Sequence, residues 1–301
     1  MVPQSSERRS GESMSNAPGG RVSWPQPQNR KVKVARFSTA VQLIRTGNLR
    51  IELHNRRRGA QRHLYRRPLP ERGNWSVRRI NSLHTALPHL QNYLEIGLAK
   101  GRTFEHVTLP NRVGVDPNPQ FNVDSLPART SVFVATSDEF FASVSDTFDV
   151  VFLDGLHTYQ QTYRDLLAAL GVTPTGVILV DDVVPSDEAS ALPDEAVSLA
   201  TRRRLGLPGK KWHGDVFRMV MCLVDHHPEL AFRTIVGSGN EQLLVWQEEP
   251  GNDSVPVDTD VLDQYAAFSF DDVFGGGVPA SFLPTHESVA LTDAVKILSR
   301  R

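Results

Sequence analysis

Cysteine is almost missing from this sequence: Cys222 is the only one in 301 residues. No internal disulfide can form, and thiolate-rich metal sites are excluded. Long apolar runs are missing as well. No stretch approaches the roughly 18–20 residues needed to cross a bilayer. The first residues, Met1 to Glu7, lack the apolar core of a secretory signal, and Met14 is a second candidate start. These absences fit a reducing, cytoplasmic setting. Acidic residues are scarce in one region only. Between Arg30 and Arg79, fifteen Lys/Arg face just Glu52 and Glu71, whereas from Ile80 onward fifteen face thirty Asp/Glu. The favoured reading is a basic arm folding back on an acidic body. The alternative is contact of residues 30–79 with nucleic acid, another polyanion or an anionic membrane surface.

What is present divides the chain into four parts. Residues 1–29 are rich in Ser, Gly, Pro and Arg and are expected to be a disordered tail. Residues 30–75 form a basic extension. It contains a short amphipathic helix over 37–46, with Ser38 or Thr39 as N-cap and Gly47 as its stop. A main domain is expected over 76–249. It opens with a helix over 76–90, where Val77, Ile80, Leu83, Leu87 and Leu90 fall at helical spacing. Residues 250–301 are expected to be an appendage, either helical or a dimer element, which leaves a homo-oligomer open.

Within the main domain the pattern becomes rhythmic. Apolar strands are expected at Tyr93–Ile96, Arg112–Val115, Ser131–Val134, Val150–Leu153 and Val177–Val180, separated by turns and helix-like segments. Short, nearly continuous apolar strands belong to parallel sheets covered on both faces. The last pair, Phe232–Val236 and Gln242–Trp246, is joined by only five residues. That link is too short for a helical crossover and demands an antiparallel hairpin. The expected fold is therefore α/β: a Rossmann-like, mostly parallel sheet ending in an antiparallel hairpin strand, with a basic N-terminal helical extension.

Two groups of residues carry chemistry. The first strand runs into Gly97, and Gly101 follows four residues later. Such a turn brings backbone close to a ligand, and glycine permits the approach because it has no Cβ. Glu95 at the strand end is placed to meet a cationic or hydroxyl-bearing part of that ligand. Asp116 ends the next strand and can accept hydrogen bonds from ribose hydroxyls. Ala99 stands where a three-glycine phosphate fingerprint has its middle glycine, and none of the five tyrosines has a lysine four residues later. Both observations favour S-adenosylmethionine, which has no pyrophosphate, over NAD. An NAD-dependent oxidoreductase is the alternative.

The second group lies past the fourth and fifth strands: Asp154 and His157, then Asp181 and Asp182. In an open α/β sheet these strand ends share the edge where ligands bind. Three converging carboxylates repel one another, and a divalent cation such as Mg²⁺ would relieve them. It would also acidify a bound substrate hydroxyl. His157, with an ordinary pKa of about 6.5, could take that proton at neutral pH. Asp182 has a plainer reading as a helix cap, and His157 one as a structural histidine. Asp149 reads as a turn residue.

Four segments, Tyr93–Phe104, Val113–Pro117, Phe148–Tyr159 and Gly176–Asp182, resemble class I S-adenosylmethionine-dependent methyltransferases. The subgroup most similar is that of small-molecule and sugar O-methyltransferases. The resemblance implies that Glu95, Gly97 and Gly101 line the methionine moiety and that Asp116 holds the ribose. Ser137 and Asp138 would lie by the adenine. Asp154, Asp181 and Asp182 match metal-binding positions, with Mg²⁺ a candidate second cofactor. His157 and Asp154 match catalytic positions acting on a small-molecule acceptor. The segment Trp212–Arg218 also resembles a recurrent feature of the group, with His213 and Asp215 as reserve candidates for substrate contact.

Overall fold

A computed structural model describes residues 74–123, 126–248 and 259–300. The helix expected over 37–46, the tail, and most of the basic segment lie outside the described residues. The described chain opens with α1 (Trp75–Ala86), capped by the Asn74 side chain on the Val77 amide. Here the expected helix over 76–90 is shortened. Leu87 precedes Pro88, whose ring disfavours helical backbone at the residue before it, and Leu87 leaves the helix at φ −132°. Leu87 and Leu90 are still buried, so the apolar spacing marked core positions rather than helix length.

The strands are β1 (Asn92–Ile96), β2 (Asn111–Val115), β3 (Thr130–Phe133), β4 (Val150–Leu153), β5 (Val177–Val180), β6 (Leu230–Val236), β7 (Gln242–Gln247) and β8 (Pro284–His286). Between and after them come α2 (Ser137–Phe141), α3 (Tyr159–Val172), α4 (Glu195–Arg204), α5 (Phe217–His226), α6 (Thr259–Tyr265), α7 (Phe270–Phe274) and α8 (Glu287–Leu298). The sheet order is β3-β2-β1-β4-β5-β7-β6-β8. The first five strands run parallel, and β7 is antiparallel to both β5 and β6. The expected hairpin is present, with Phe232 opposite Val245. It does not end the sheet with its antiparallel strand, however. The crossover through α5 delivers β6 parallel to β5, and the short return strand β7 fits between them. The edge is taken by β8, parallel to β6, which no alternation in its three residues announced.

Alternation along the strands divides the core into two layers. Leu94, Ile96, Val151, Leu153, Ile178 and Val180 face one cluster, which also holds residues of α3, α5 and α7. Tyr93, Val150, Phe152, Val177 and Leu179 face the other, with Ile80 and Leu83 of α1 and Ala294 and Leu298 of α8. Glu95 follows Tyr93 by two residues and so shares this second face. A carboxylate is thereby placed inside an apolar layer.

Two of the basic residues counted up to Arg79 lie on α1 and pair with the body of the domain. Arg78 and Arg79 both pair with Glu287 at the start of α8. Arg79 is fully buried and also donates to the carbonyls of Asn240 (2.7 Å) and Ser238 (2.9 Å) and to the Gln242 side chain. Arg79→Leu would leave the Asn240 and Ser238 carbonyls and the Gln242 side-chain oxygen without their cationic donor and Glu287 with Arg78 and Ser238 alone. Breaking such a buried pair costs about 3 kcal/mol. Urea unfolding is expected to show that loss, whereas Arg79→Lys should recover part of it.

Candidate active site

The loop after β1 is shaped by glycine and by Asp116. Gly97 has φ +88°, and a Cβ there would lie 2.1 Å from the Asp154 carbonyl oxygen. Only glycine allows β1 and β4 to end side by side at this point. Asp116 Oδ2 accepts from the amides of Leu98 and Ala99, each at 2.8 Å, and Oδ1 accepts from Asn118 at 2.7 Å. The residue expected to hold a ribose therefore first holds the loop. Oδ2 is saturated by its two amides, and Oδ1, with one donor, keeps a second lone pair for a ligand hydroxyl. Gly101 ends the loop at φ +68°, its Cα side closed by the Phe121 ring.

Glu95, expected to meet a cationic or hydroxyl-bearing part of the ligand, lies inside the buried face of the sheet. It is 1% exposed and accepts a 2.7 Å hydrogen bond from the Tyr93 hydroxyl. Burial, with the Asp181 charge adding to it, raises its pKa from 4.5 to about 8 against the opposing Tyr93 bond. At neutral pH it is a neutral acid. Because the folded pKa exceeds the unfolded one, the native state binds the extra proton between these values. Stability therefore falls as pH rises from about 4.5 to about 8, by at most about 5 kcal/mol from this group. Glu95→Gln should flatten the fall in melting temperature over that window. An unchanged pH slope in thermal scans would refute the assignment.

Ser137 and Asp138 open α2, whose N-terminus is closed by a Thr136–Glu139 capping box. Gln161 of α3 reaches both: its Nε2 lies 3.2 Å from Ser137 Oγ and 3.1 Å from Asp138 Oδ1, and 2.9 Å from Asp165 Oδ1. Gln161 and buried Asp165 went unread in the sequence because both sit on the polar side of an ordinary amphipathic helix. Only the packing of α3 beside α2 gives them a place near the sheet edge.

Past β4 and β5 the expected acids do come together around His157. The His157 Nε2 lies 3.6 Å from Asp154 Oδ1, and its Nδ1 lies 3.6 Å from Asp182 Oδ2. Asp182 Oδ1 is 3.7 Å from His213 Nε2. These are ion-pair distances rather than hydrogen bonds. Both His157 (φ +55°) and Asp182 (φ +58°) have left-handed backbone, which is uncommon for such residues and marks strained, held positions. The cap reading of Asp182 fails: the next helix, α4, is capped by Asp194 on the Val197 amide at 2.8 Å. Asp149, as expected of a turn residue, accepts the amides of Gln91 and Asn92 and starts β1.

The third carboxylate, Asp181, is held differently. Its Oδ1 takes the Asp182 amide (2.9 Å), Gln242 Nε2 (3.0 Å) and Asn240 Nδ2. Asn240 and Gln242, from the β6–β7 turn, are site residues that the sequence did not single out; they read as turn polarity until the strand order was known. Burial raises the Asp154 carboxyl well above its usual range, with the charges of Asp181, Asp182 and Glu95 adding to it. Asp182 is raised by burial and by Asp181. Burial lowers His157 below its ordinary 6.5, opposed by Asp181 and Glu195.

Hard oxygen donors of this kind suit Mg²⁺ chemically. Their arrangement does not: among the described residues no group of three His, Cys, Asp or Glu is disposed to hold a metal ion. The expected ligand set Asp154, Asp181 and Asp182 is divided: Asp154 and Asp182 face His157, and Asp181 is turned to hydrogen-bond donors of its own. Asp181 spends one oxygen on three donors, and Asp182 faces two histidines.

The segment Trp212–Arg218, whose role spacing could not explain, covers this turn. The Trp212 ring meets His157 edge to face, with centroids 5.2 Å apart. Asp215 does not reach toward a substrate. It is buried, accepts the Tyr159 amide at the start of α3 (2.9 Å) and pairs with Arg218 (2.7 Å). Thr158 makes no side-chain cap, so Asp215 supplies one from a distance.

Residues 94–183 match the family profile described as a methyltransferase domain. No match was found among curated protein sequences. Among solved structures, an O-methyltransferase from Bacillus cereus, in complex with S-adenosylhomocysteine, is 16% identical with a TM-score of 0.39. The match covers 71% of this chain and 92% of that one. The O-methyltransferase TomG from Streptomyces achromogenes, in complex with S-adenosylmethionine, is 14% identical with a TM-score of 0.37, covering 59% of this chain and 91% of that one. Likenesses this distant add nothing about the site. The matched stretch spans the glycine loop, Asp116, Asp154, His157 and the Asp181–Asp182 pair, and over these residues the chain is similar to a methyltransferase domain.

Proposed function

We propose that the protein methylates a hydroxyl group of a small molecule, with sugars as the leading class, and that His157 is the general base. The observation that supports this reading is the placement of a neutral imidazole between Asp154 and Asp182, in the turn that abuts Gly97. When bound, S-adenosylmethionine supplies a methyl group on a sulfonium sulfur. Gly97 and Gly101 shape the loop that would border its methionine part, Asp116 would meet the ribose through Oδ1, and Ser137 and Asp138 would flank the base. His157 would take the acceptor's hydroxyl proton, leaving the oxygen free to accept the methyl group that the bound cofactor would supply. Asp154 and Asp182, on either side of the ring, stabilise the imidazolium that results. Trp212 fixes the ring plane. No step is assigned to a metal ion.

Calorimetric titration with S-adenosylmethionine tests the cofactor half, and absence of binding at millimolar ligand would end the reading. Transfer of labelled methyl to a panel of sugars and phenols tests the acceptor half.

A further inference from the structure

The turn that follows α4 carries a concentration of positive charge with no partner in the fold. Arg202 is the exception that orders it. Its side chain is 3% exposed, and Nη1 lies 2.7 Å from both Asp187 oxygens. The rest of its guanidinium donates to the carbonyls of Pro208 (2.7 Å) and Gly209 (3.4 Å). The chain reverses through two left-handed glycines, Gly206 and Gly209, and Leu207 bonds back to the Arg202 carbonyl. One buried cation thus folds the loop against the end of its own helix.

Arg203 and Arg204, which end α4, and Lys210, on the turn after it, are exposed. None of the three forms an ion pair or side-chain hydrogen bond with any described residue, although the body from Ile80 onward has twice as many acids as bases. Complementing the helix dipole would account for Arg203 and Arg204. It does not account for Lys210, which lies beyond the helix. In the sequence Lys210 stands close to the site. Two residues after Lys210, Trp212 packs on His157, its indole donating to the Leu192 carbonyl at 2.8 Å, and the His213 amide bonds to Ser190. Two residues of extended chain span about 7 Å.

We infer that this turn is the acceptor's charge-recognition site: Lys210, with Arg203 and Arg204, binds an anionic group on the acceptor while its hydroxyl lies at His157. The inference rests on the methyl-transfer reading above and narrows its substrate class. The acceptor is a small hydroxylated molecule bearing a phosphate or carboxylate within about 10 Å of the methylated oxygen. The acids lining the reaction centre make such a positive rim useful. A concentration of acidic side chains at the sheet edge does not itself attract an anion, and a basic rim would.

The test compares glucose, glucose 6-phosphate and glucuronate as acceptors of labelled methyl from S-adenosylmethionine, in the native protein and in Arg203→Glu/Lys210→Glu. The substituted positions are exposed, so folding should be retained, and calorimetry should give the same cofactor affinity for both proteins. The anionic sugars are expected to be used at least tenfold more efficiently than glucose. The double variant should lose that preference through a higher KM, and added salt should erode it in the native protein. A greater preference for the phosphate or for the uronate identifies which anion is read. If the cofactor binds and glucose serves as well as both anionic sugars, with the double variant unchanged, the inference is wrong and the methyl-transfer reading survives. If the cofactor itself does not bind, both fall together.

Discussion

His157→Ala is expected to lower methyl transfer by about 10³-fold while leaving S-adenosylmethionine affinity and thermal stability nearly unchanged. Removing a positioned general base typically costs 10²–10⁴-fold. His157 sits between two carboxylates at 3.6 Å without a true hydrogen bond to either. Its loss therefore forfeits little folding energy. The lowered pKa makes a second signature. The imidazole must be neutral to accept a proton, and its pKa lies below 6.5. Activity should be level from about neutral pH upward and decline as pH falls through that lowered value. A variant with near-native turnover, or a native profile with no acidic decline, would remove His157 from the mechanism. If stability fell in step with activity, the structural reading of this histidine would be the better one.

The second large effect concerns Gly214. A Cβ at this position would lie 1.7 Å from the His157 carbonyl oxygen, at a backbone φ of +61°. Neither atom belongs to a flexible side chain, so Gly214→Ala cannot be absorbed by a rotamer change. The Trp212–Asp215 segment must lift from the turn. That movement withdraws Trp212 from the His157 ring and Asp215 from the start of α3. A stability loss of about 4 kcal/mol or more is expected, with methyl transfer lost below the assay limit. Urea unfolding and labelled-methyl transfer measure the two parts. By contrast, Gly276→Ala has open space and no left-handed φ, and serves as the matched control. A Gly214→Ala protein with native stability and turnover would show that the segment does not brace the turn.

Much of the sheet was legible because parallel strands covered on both faces are short, apolar and bounded by turns. All five parallel strands fall within one residue of their expected limits. The hairpin was legible from the length of its link alone. What failed was of another kind. Pro88 shortened the first helix. The three residues of β8 were too few to show alternation, and the place of β7 between β5 and β6 depends on how a crossover packs.

For the site, sequence by itself determined the list of acids and the histidine at the ends of β1, β2, β4 and β5. Chain order and strand ends suffice to put residues on one sheet edge. Tertiary structure decided what each one touches. It turned Asp116 inward to the loop amides and neutralised Glu95 beneath Tyr93. It assigned Asp215 to a helix end and brought Asn240 and Gln242 to Asp181 from 59 and 61 residues away. A carboxylate's partner depends on distance and burial. Neither is a property of local spacing, and both are settled only when distant segments pack together.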